Sequence, residues 1–215
     1  MIRLFVGQDD REAVGLPVFC SSVWRLASEP VSITALGANV ARTDGTNAFT
    51  LARFEIPRLC NYEGWALWMD GTDMLMVCDI AELWALRDPK YAVQVVKHDY
   101  KPRAARKYIG TRMEADNAAY PRKNWSSVML LNNERWRWPN AQTGSELHRF
   151  SRFADEEIGE LPKCYNFIID EDNQCKAPAA KIMHWSNGGP WFPYYGDTLF
   201  ASLWRDEYKR MLNGP

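Results

Sequence analysis

Two carboxylates, Asp70 and Asp73, sit in a short polar gap, Asp70-Gly71-Thr72-Asp73, between the apolar runs "WALWM" and "MLMV". Carboxylate oxygens are hard ligands, suited to Mg²⁺ or Mn²⁺ bridging the oxygens of a diphosphate. Such an ion stabilises the negative charge that grows on a departing phosphate group. On an extended chain, positions two apart share a face and positions three apart do not. A bend is therefore needed before both carboxylates can face one ion, and Gly71 leaves the backbone free to make it. The same Asp-Gly pair between apolar runs is also a strong turn signal. Taken alone, the gap reads as a turn or as a metal site.

The elements that must position the gap follow from the hydrophobic pattern. "IRLFV" reads as a buried first strand ended by Gly7, and "VSITAL" as a second strand. Asp9 and Glu12 have the spacing of a capping box for the helix "REAVGLPVFCSSVWRLA", in which Pro17 implies a kink or a late start. A Thr-, Asn- and Gly-rich loop over 37–47 leads to the helical segment "FTLARFEIPRLCNY". "WALWM" is a strand and "MLMV" a short extended run, and Asp79 with Glu82 opens the helix "IAELWALR". "YAVQVV" is a strand, 97–122 reads as basic loop, "SSVMLLN" is a strand, "SELHRFSRFADEEIG" a helix and "AAKIMHW" a late strand. Strands alternating with helices imply an α/β fold with a mostly parallel central sheet flanked by helices. Asp70 then falls at a carboxyl end, where open α/β sheets bind ligands.

Composition narrows the partners. The chain has 215 residues, 47% of them hydrophobic, enough for one compact core, and the expectation is a single domain over 1–215. A formal net charge of −1 argues against nucleic acid or an anionic membrane surface as the partner. Between Lys101 and Arg152, however, eleven Lys and Arg face four acidic residues, the pattern of a solvated face or of a rim that attracts an anion. Five scattered cysteines lack metal spacing, and no run approaches the length of a membrane span. Reduced thiols, no integral membrane segment and a cytoplasmic setting are the expectation.

Five segments occur in an order that resembles glycosyltransferases of the GT-A fold, especially family 8. "FTLARFEIP" resembles that family's Tyr-Ala-Arg-Leu helix, and "YEGWALWMDGTDMLMVCDIAELW" its Asp-x-Asp segment. "NWSSVMLLN" is similar to its Asn-Ala-Gly-Val strand, "ADEEIGELPKCYNF" to its Asp-Gln-Asp stretch, and "IMHWSNGGPWF" to its C-terminal His-Phe-x-Gly-x-x-Lys-Pro-Trp motif. The resemblance covers roughly residues 2 to 195. It implies a metal site of Asp70, Asp73 and His184, holding Mn²⁺ or Mg²⁺. It implies donor nucleotide and diphosphate contacts from Gly7, Gln8, Asp9, Arg53, Gly71, Thr72, Gly188 and Gly189. The sugar and catalytic region would draw on Lys97, Asn124, Ser126, Ser127 and Asp155, with His98, Asp99 and Tyr100 nearby. Each has a plainer structural role open to it: Asp9 as a helix cap, Gly188 and Gly189 as a loop, Asp155 on an exposed helix.

The departures are specific. The carboxylate gap is one residue longer than Asp-x-Asp, and Trp125 stands where the family has Asn. The C-terminal motif is one residue shorter, with Gly189 before Pro190 and no Lys for the donor diphosphate. Lys97, Arg103, Arg106 or Lys107 is left to supply that charge. The resulting expectation is a metal-dependent glycosyltransferase that takes a nucleotide-diphosphate sugar, UDP first, to an unknown carbohydrate, lipid or protein hydroxyl, with retention. Residues 1–100 would form the nucleotide-sugar half and 101–215 the acceptor side. The competing readings are a non-catalytic sugar- or nucleotide-binding domain of the same fold and a sugar nucleotidyltransferase.

Overall fold

A computed structural model describes residues 1–37, 47–136, 143–171, 176 and 179–214. The loop expected over 37–47 falls, apart from its two end residues, outside them. The strands are β1 (Ile2–Gly7), β2 (Val31–Leu36), β3 (Trp65–Met69), β4 (Met74–Met76), β5 (Val93–Val95), β6 (Arg106–Lys107), β7 (Ala115–Asp116), β8 (Val128–Asn132), β9 (Ile158–Glu160), β10 (Phe167–Ile168) and β11 (Ile182–His184). The helices are α1 (Gly15–Leu26), α2 (Ile56–Leu59), α3 (Ile80–Trp84), α4 (Gly144–His148) and α5 (Ala201–Asn213).

The main sheet has the order β2-β1-β3-β8-β5-β9. β1 runs parallel to β2 and β3, and β5 to β9, while β8 is antiparallel to both neighbours. Alternate residues of its central strands enter opposite cores, as a period of two requires. Leu4, Val6, Leu67, Met69, Val128 and Leu130 join Phe19 and Val23 of α1 on one face. Phe5, Ala66, Trp68, Val93, Met129 and Leu131 face Phe54, Trp136 and Phe150 on the other. Both faces are covered, which is why "WALWM" and "VMLL" are continuous apolar runs. A second sheet, β10-β11-β4, packs with Val18, Trp185 and Trp204 of α5.

Several local expectations are corrected. α1 starts only at Gly15, so Pro17 lies in its first turn, where a missing N–H costs nothing. Asp9 caps a short 3₁₀ turn, Asp10–Glu12, but Glu12 turns inward to Thr72 instead of closing a capping box. The helix expected over 145–159 stops at His148, since Phe150 takes φ 50° and is fully buried among Phe54 and Trp136. Its last residues pair with β5 as β9. α5 has no counterpart in the sequence reading, although Ala201, Trp204, Tyr208 and Met211 carry the helical spacing that marks it. Among the described residues, no helix is long and apolar enough to cross a membrane.

Candidate active site

The extra residue of the carboxylate gap is absorbed by a tight turn. Gly71 takes φ 76°, the left-handed region that glycine enters without steric cost. The Thr72 N–H donates to Asp70 O at 2.9 Å, and the Met74 N–H to Gly71 O at 3.0 Å. The chain thus doubles back at once from β3 into β4. β4 pairs antiparallel with β11 in a register that sets His184 opposite Met74, and the Trp185 N–H donates to Asp73 O at 2.8 Å. As a result Asp70, Asp73 and His184, all buried, offer ligand atoms within 4.8 Å of one another.

The proton arrangement of this cluster can be read from its neighbours. Asn166 Nδ2 donates to Ser127 Oγ at 2.7 Å and to Asn124 O at 3.3 Å, which turns its Oδ1 toward His184 Nδ1 at 2.8 Å. Nδ1 therefore carries a hydrogen. The other nitrogen, Nε2, faces Asp73 Oδ2 at 3.3 Å, while Asp73 Oδ1 is buried with no hydrogen-bond partner among the described residues. In the imidazolium form Nε2 donates to Asp73 Oδ2, and in the neutral form it presents a lone pair beside that carboxylate. A buried carboxylate oxygen left bare beside a fixed imidazole suits a divalent ion, so the residues fit the group.

Arg53 holds the first carboxylate. Its Nη1 lies 2.7 Å from Asp70 Oδ1 and donates to Ser126 O at 2.8 Å. Its guanidinium sits 5.4 Å from the ring centre of Phe49 and 5.1 Å from that of Trp68. Trp68 Nε1 donates to the same Oδ1 at 2.9 Å. Burial pushes the Asp70 carboxyl up to about 6, overcoming the pull of Arg53. Burial acts on Asp73 too, but the charge and hydrogen bond of His184 outweigh it and hold that carboxyl below the usual range. Glu12, behind them, is raised well above its ordinary value by burial and by Asp73.

A cavity of about 430 Å³ opens beside Arg53 and Asp70, lined also by Asn124, Ser126, Ser127 and His148. A second, of about 40 Å³, reaches Asp73 and His184, and the two share Asn47, Asp70, Lys107, Lys123 and Asn124. Sequence reasoning had no signal for Lys123 or His148. Burial drives the His148 ring down to about 3, so it is neutral. Ser126 Oγ accepts from Arg53 at 3.4 Å, which leaves its own hydrogen for His148 Nδ1 at 2.6 Å.

The remaining candidate residues line neither cavity. Asp155 is 83% exposed and pairs with Arg122, and it lines neither cavity. The Lys97 ammonium lies over the Trp125 ring, 5.6 Å from its centre. Asp9 is buried under its pair with Arg11 at 2.6 Å and accepts from the Ala48 N–H, whereas Gln8 is exposed. A side chain added at Gly7 would meet Phe49 and the Asp70 carbonyl. Gly188 and Gly189 lie so close to the rings of Tyr195 and Trp191 that a Cβ would stand 2.6 and 2.0 Å from them. Aromatic packing accounts for both glycines.

Comparison with known proteins gives a consistent fold. No family model matches the chain. The Arabidopsis thaliana protein called Protein CDI is 38% identical over 227 aligned positions, covering 95% of this chain and 85% of that one. Among solved structures, the galactosyltransferase LgtC, in complex with donor and acceptor sugar analogs, superposes with a TM-score of 0.63 at 13% identity, covering 100% of this chain and 98% of LgtC. The apo glycosyltransferase GlyE of Streptococcus pneumoniae TIGR4 gives 0.64 at 16% identity, covering 99% and 62%. The apo bifunctional glycosyltransferase WbbM gives 0.62 at 16%, covering 96% and 49%. The chain thus spans about half of WbbM and under two thirds of GlyE. At such identities these likenesses establish the architecture, that of a GT-A glycosyltransferase.

Proposed function

This chain belongs to the family of Protein CDI and has a GT-A fold, and from that premise we propose that it is a metal-dependent glycosyltransferase. It moves a sugar from a nucleotide-diphosphate donor, UDP being the first choice, to an acceptor hydroxyl, with retention at the anomeric carbon. The observation that carries the reading is the buried Oδ1 of Asp73, unpartnered among the described residues, in a cluster with His184 and Asp70 that lines the smaller cavity.

Asp70, Asp73 and His184 would hold Mn²⁺ or Mg²⁺. When bound, the ion offsets the charge that develops on the leaving diphosphate. Arg53 fixes Asp70 in a single orientation, and Asn166 fixes the tautomer that turns Nε2 toward Asp73. Asn124, Ser126 and Ser127 offer hydrogen-bonding groups to a sugar in the larger cavity, and His148 orients the Ser126 hydroxyl. Gly71 and Thr72 form the turn that brings the two carboxylates together on the diphosphate side, and Gly7, Gln8 and Asp9 follow β1 on the nucleoside side.

Thermal shift and donor hydrolysis with UDP, GDP and their sugars, with and without Mn²⁺, test this. Metal-dependent stabilisation by a nucleotide diphosphate and turnover of one sugar donor are expected. The absence of any metal-dependent shift would sink the transferase reading. Stabilisation without turnover would identify a binding domain of the same fold.

A further inference from the structure

Two lysines in the lining of both cavities form no ion pair among the described residues. Lys123 is 8% exposed, donates to Ala118 O at 3.1 Å, and lies 4.8 Å from the ring centre of Tyr120. Lys107 is half-buried, with its ammonium 5.3 Å from the ring centre of Tyr108. Neither has a carboxylate within 4 Å among the described residues. Holding a charge out of water without a bonded partner is costly. Asp73, Asp70 and Glu12 pull on Lys107 from farther off and Glu171 on Lys123, while the two lysines repel each other. Both are pushed below the ordinary lysine value, by burial first, and Lys123 reaches about 8.

Their location indicates what would relieve them. Both line the two cavities, as Asp70 does, so one side opens on Asp73 and His184 and the other on Ser126 and His148. A ligand group lying there meets two cations and the metal cluster at once. It must carry at least two negative charges spread over several oxygens, which describes a diphosphate better than a carboxylate. Position 189 cannot provide such a cation, because a Cβ there would meet the Trp191 ring. Lys97 lies over Trp125, and Arg106 is already paired with Glu114 and Asp116, each at 2.8 Å.

We propose that Lys107 and Lys123 together clamp the diphosphate of the donor, taking the place of the lysine missing before Pro190. The assignment rests on the donor reading above, and its test separates the two. Inorganic pyrophosphate and UDP are titrated calorimetrically into the wild-type chain, Lys107→Met, Lys123→Met, the double variant and Lys123→Arg, each with and without Mn²⁺. Circular dichroism checks folding. Each Met variant is expected to weaken pyrophosphate and UDP about 10-fold and the double about 100-fold, and Lys123→Arg to restore most of the loss. Mn²⁺ binding alone, followed by its electron paramagnetic resonance, should be no weaker in any of them. Wild-type affinity for both probes that persists unchanged in the double variant overturns the clamp and leaves the donor reading standing. Lysine-dependent binding of pyrophosphate without binding of UDP supports the clamp and removes the nucleotide donor. Binding of neither probe by the wild type overturns both.

Discussion

The two walls of the cavity carry opposite charges and are built on opposite terms. On the carboxylate wall, Asp70, Asp73 and His184 stand at the ends of regular strands, and Arg53, Trp68 and Asn166 already bond to them. The facing wall is the segment between β5 and β8, whose only strands are two residues long. Tyr108, Arg122 and Asn124 there take positive φ values of 55–61°, and its buried Lys123 and half-buried Lys107 form no ion pair within 4 Å among the described residues. One wall is completed by folding. On the clamp proposed above, the other is left for a ligand to complete, and the native state tolerates a cost that binding would remove.

Substitutions should separate the walls. The largest effect is expected from Asp73→Asn, which removes the buried carboxylate charge and should abolish any Mn²⁺-dependent thermal shift. A retained shift would mean that Asp70 and His184 suffice. Next, Arg53→Met strands the Asp70 carboxylate, and denaturant unfolding at pH 7.5 should show a loss of roughly 3–5 kcal/mol. Asn166→Ala frees the His184 ring and should weaken Mn²⁺ by about 10- to 100-fold with the fold intact. Lys123→Met should do the reverse of Arg53→Met, raising stability at pH 7 by on the order of 2 kcal/mol.

That last contrast has a pH signature. The folded-state value of Lys123 lies below its ordinary one, so between about 8 and 10.5 the unfolded chain binds the extra proton. The wild type should therefore gain stability as pH rises through that window, and the penalty should be complete below it. Subtracting the Lys123→Met curve isolates this group from the others that titrate. A flat difference would show that the lysine wall costs nothing.

The same contrast explains what was legible in the sequence. β1, β3 and β8 are apolar runs because both faces of the sheet are covered, and a run of that kind needs no knowledge of its neighbours to be read. Asp70, Asp73 and His184 could be grouped because motif order survives even where spacing changes, although the turn at Gly71 that unites them is a matter of geometry. Glu12 has the spacing of a cap and instead turns to Thr72, since a buried hydroxyl 60 positions away outcompetes a local backbone N–H. The truncation of α4 depends on where Trp136 stands to receive Phe150. Lys107 was one of four basic candidates, and nothing local distinguishes it from Arg106 beside it, one facing the cavities and the other paired at the surface. Lys123 becomes buried only through the path of an irregular segment, which no periodicity announces.

The pairing of β4 with β11 has a consequence for how the molecule is made. Asp73 and His184 are 111 positions apart and meet only across that pair. During synthesis the strands of the main sheet through β9 leave the ribosome first, and they contain nearly all of both large cores. A growing chain can therefore hold a folded scaffold with Asp70 and Asp73 in place and no imidazole to join them. The Asp70, Asp73 and His184 cluster is therefore completed only after that scaffold, by a three-residue strand that is translated later.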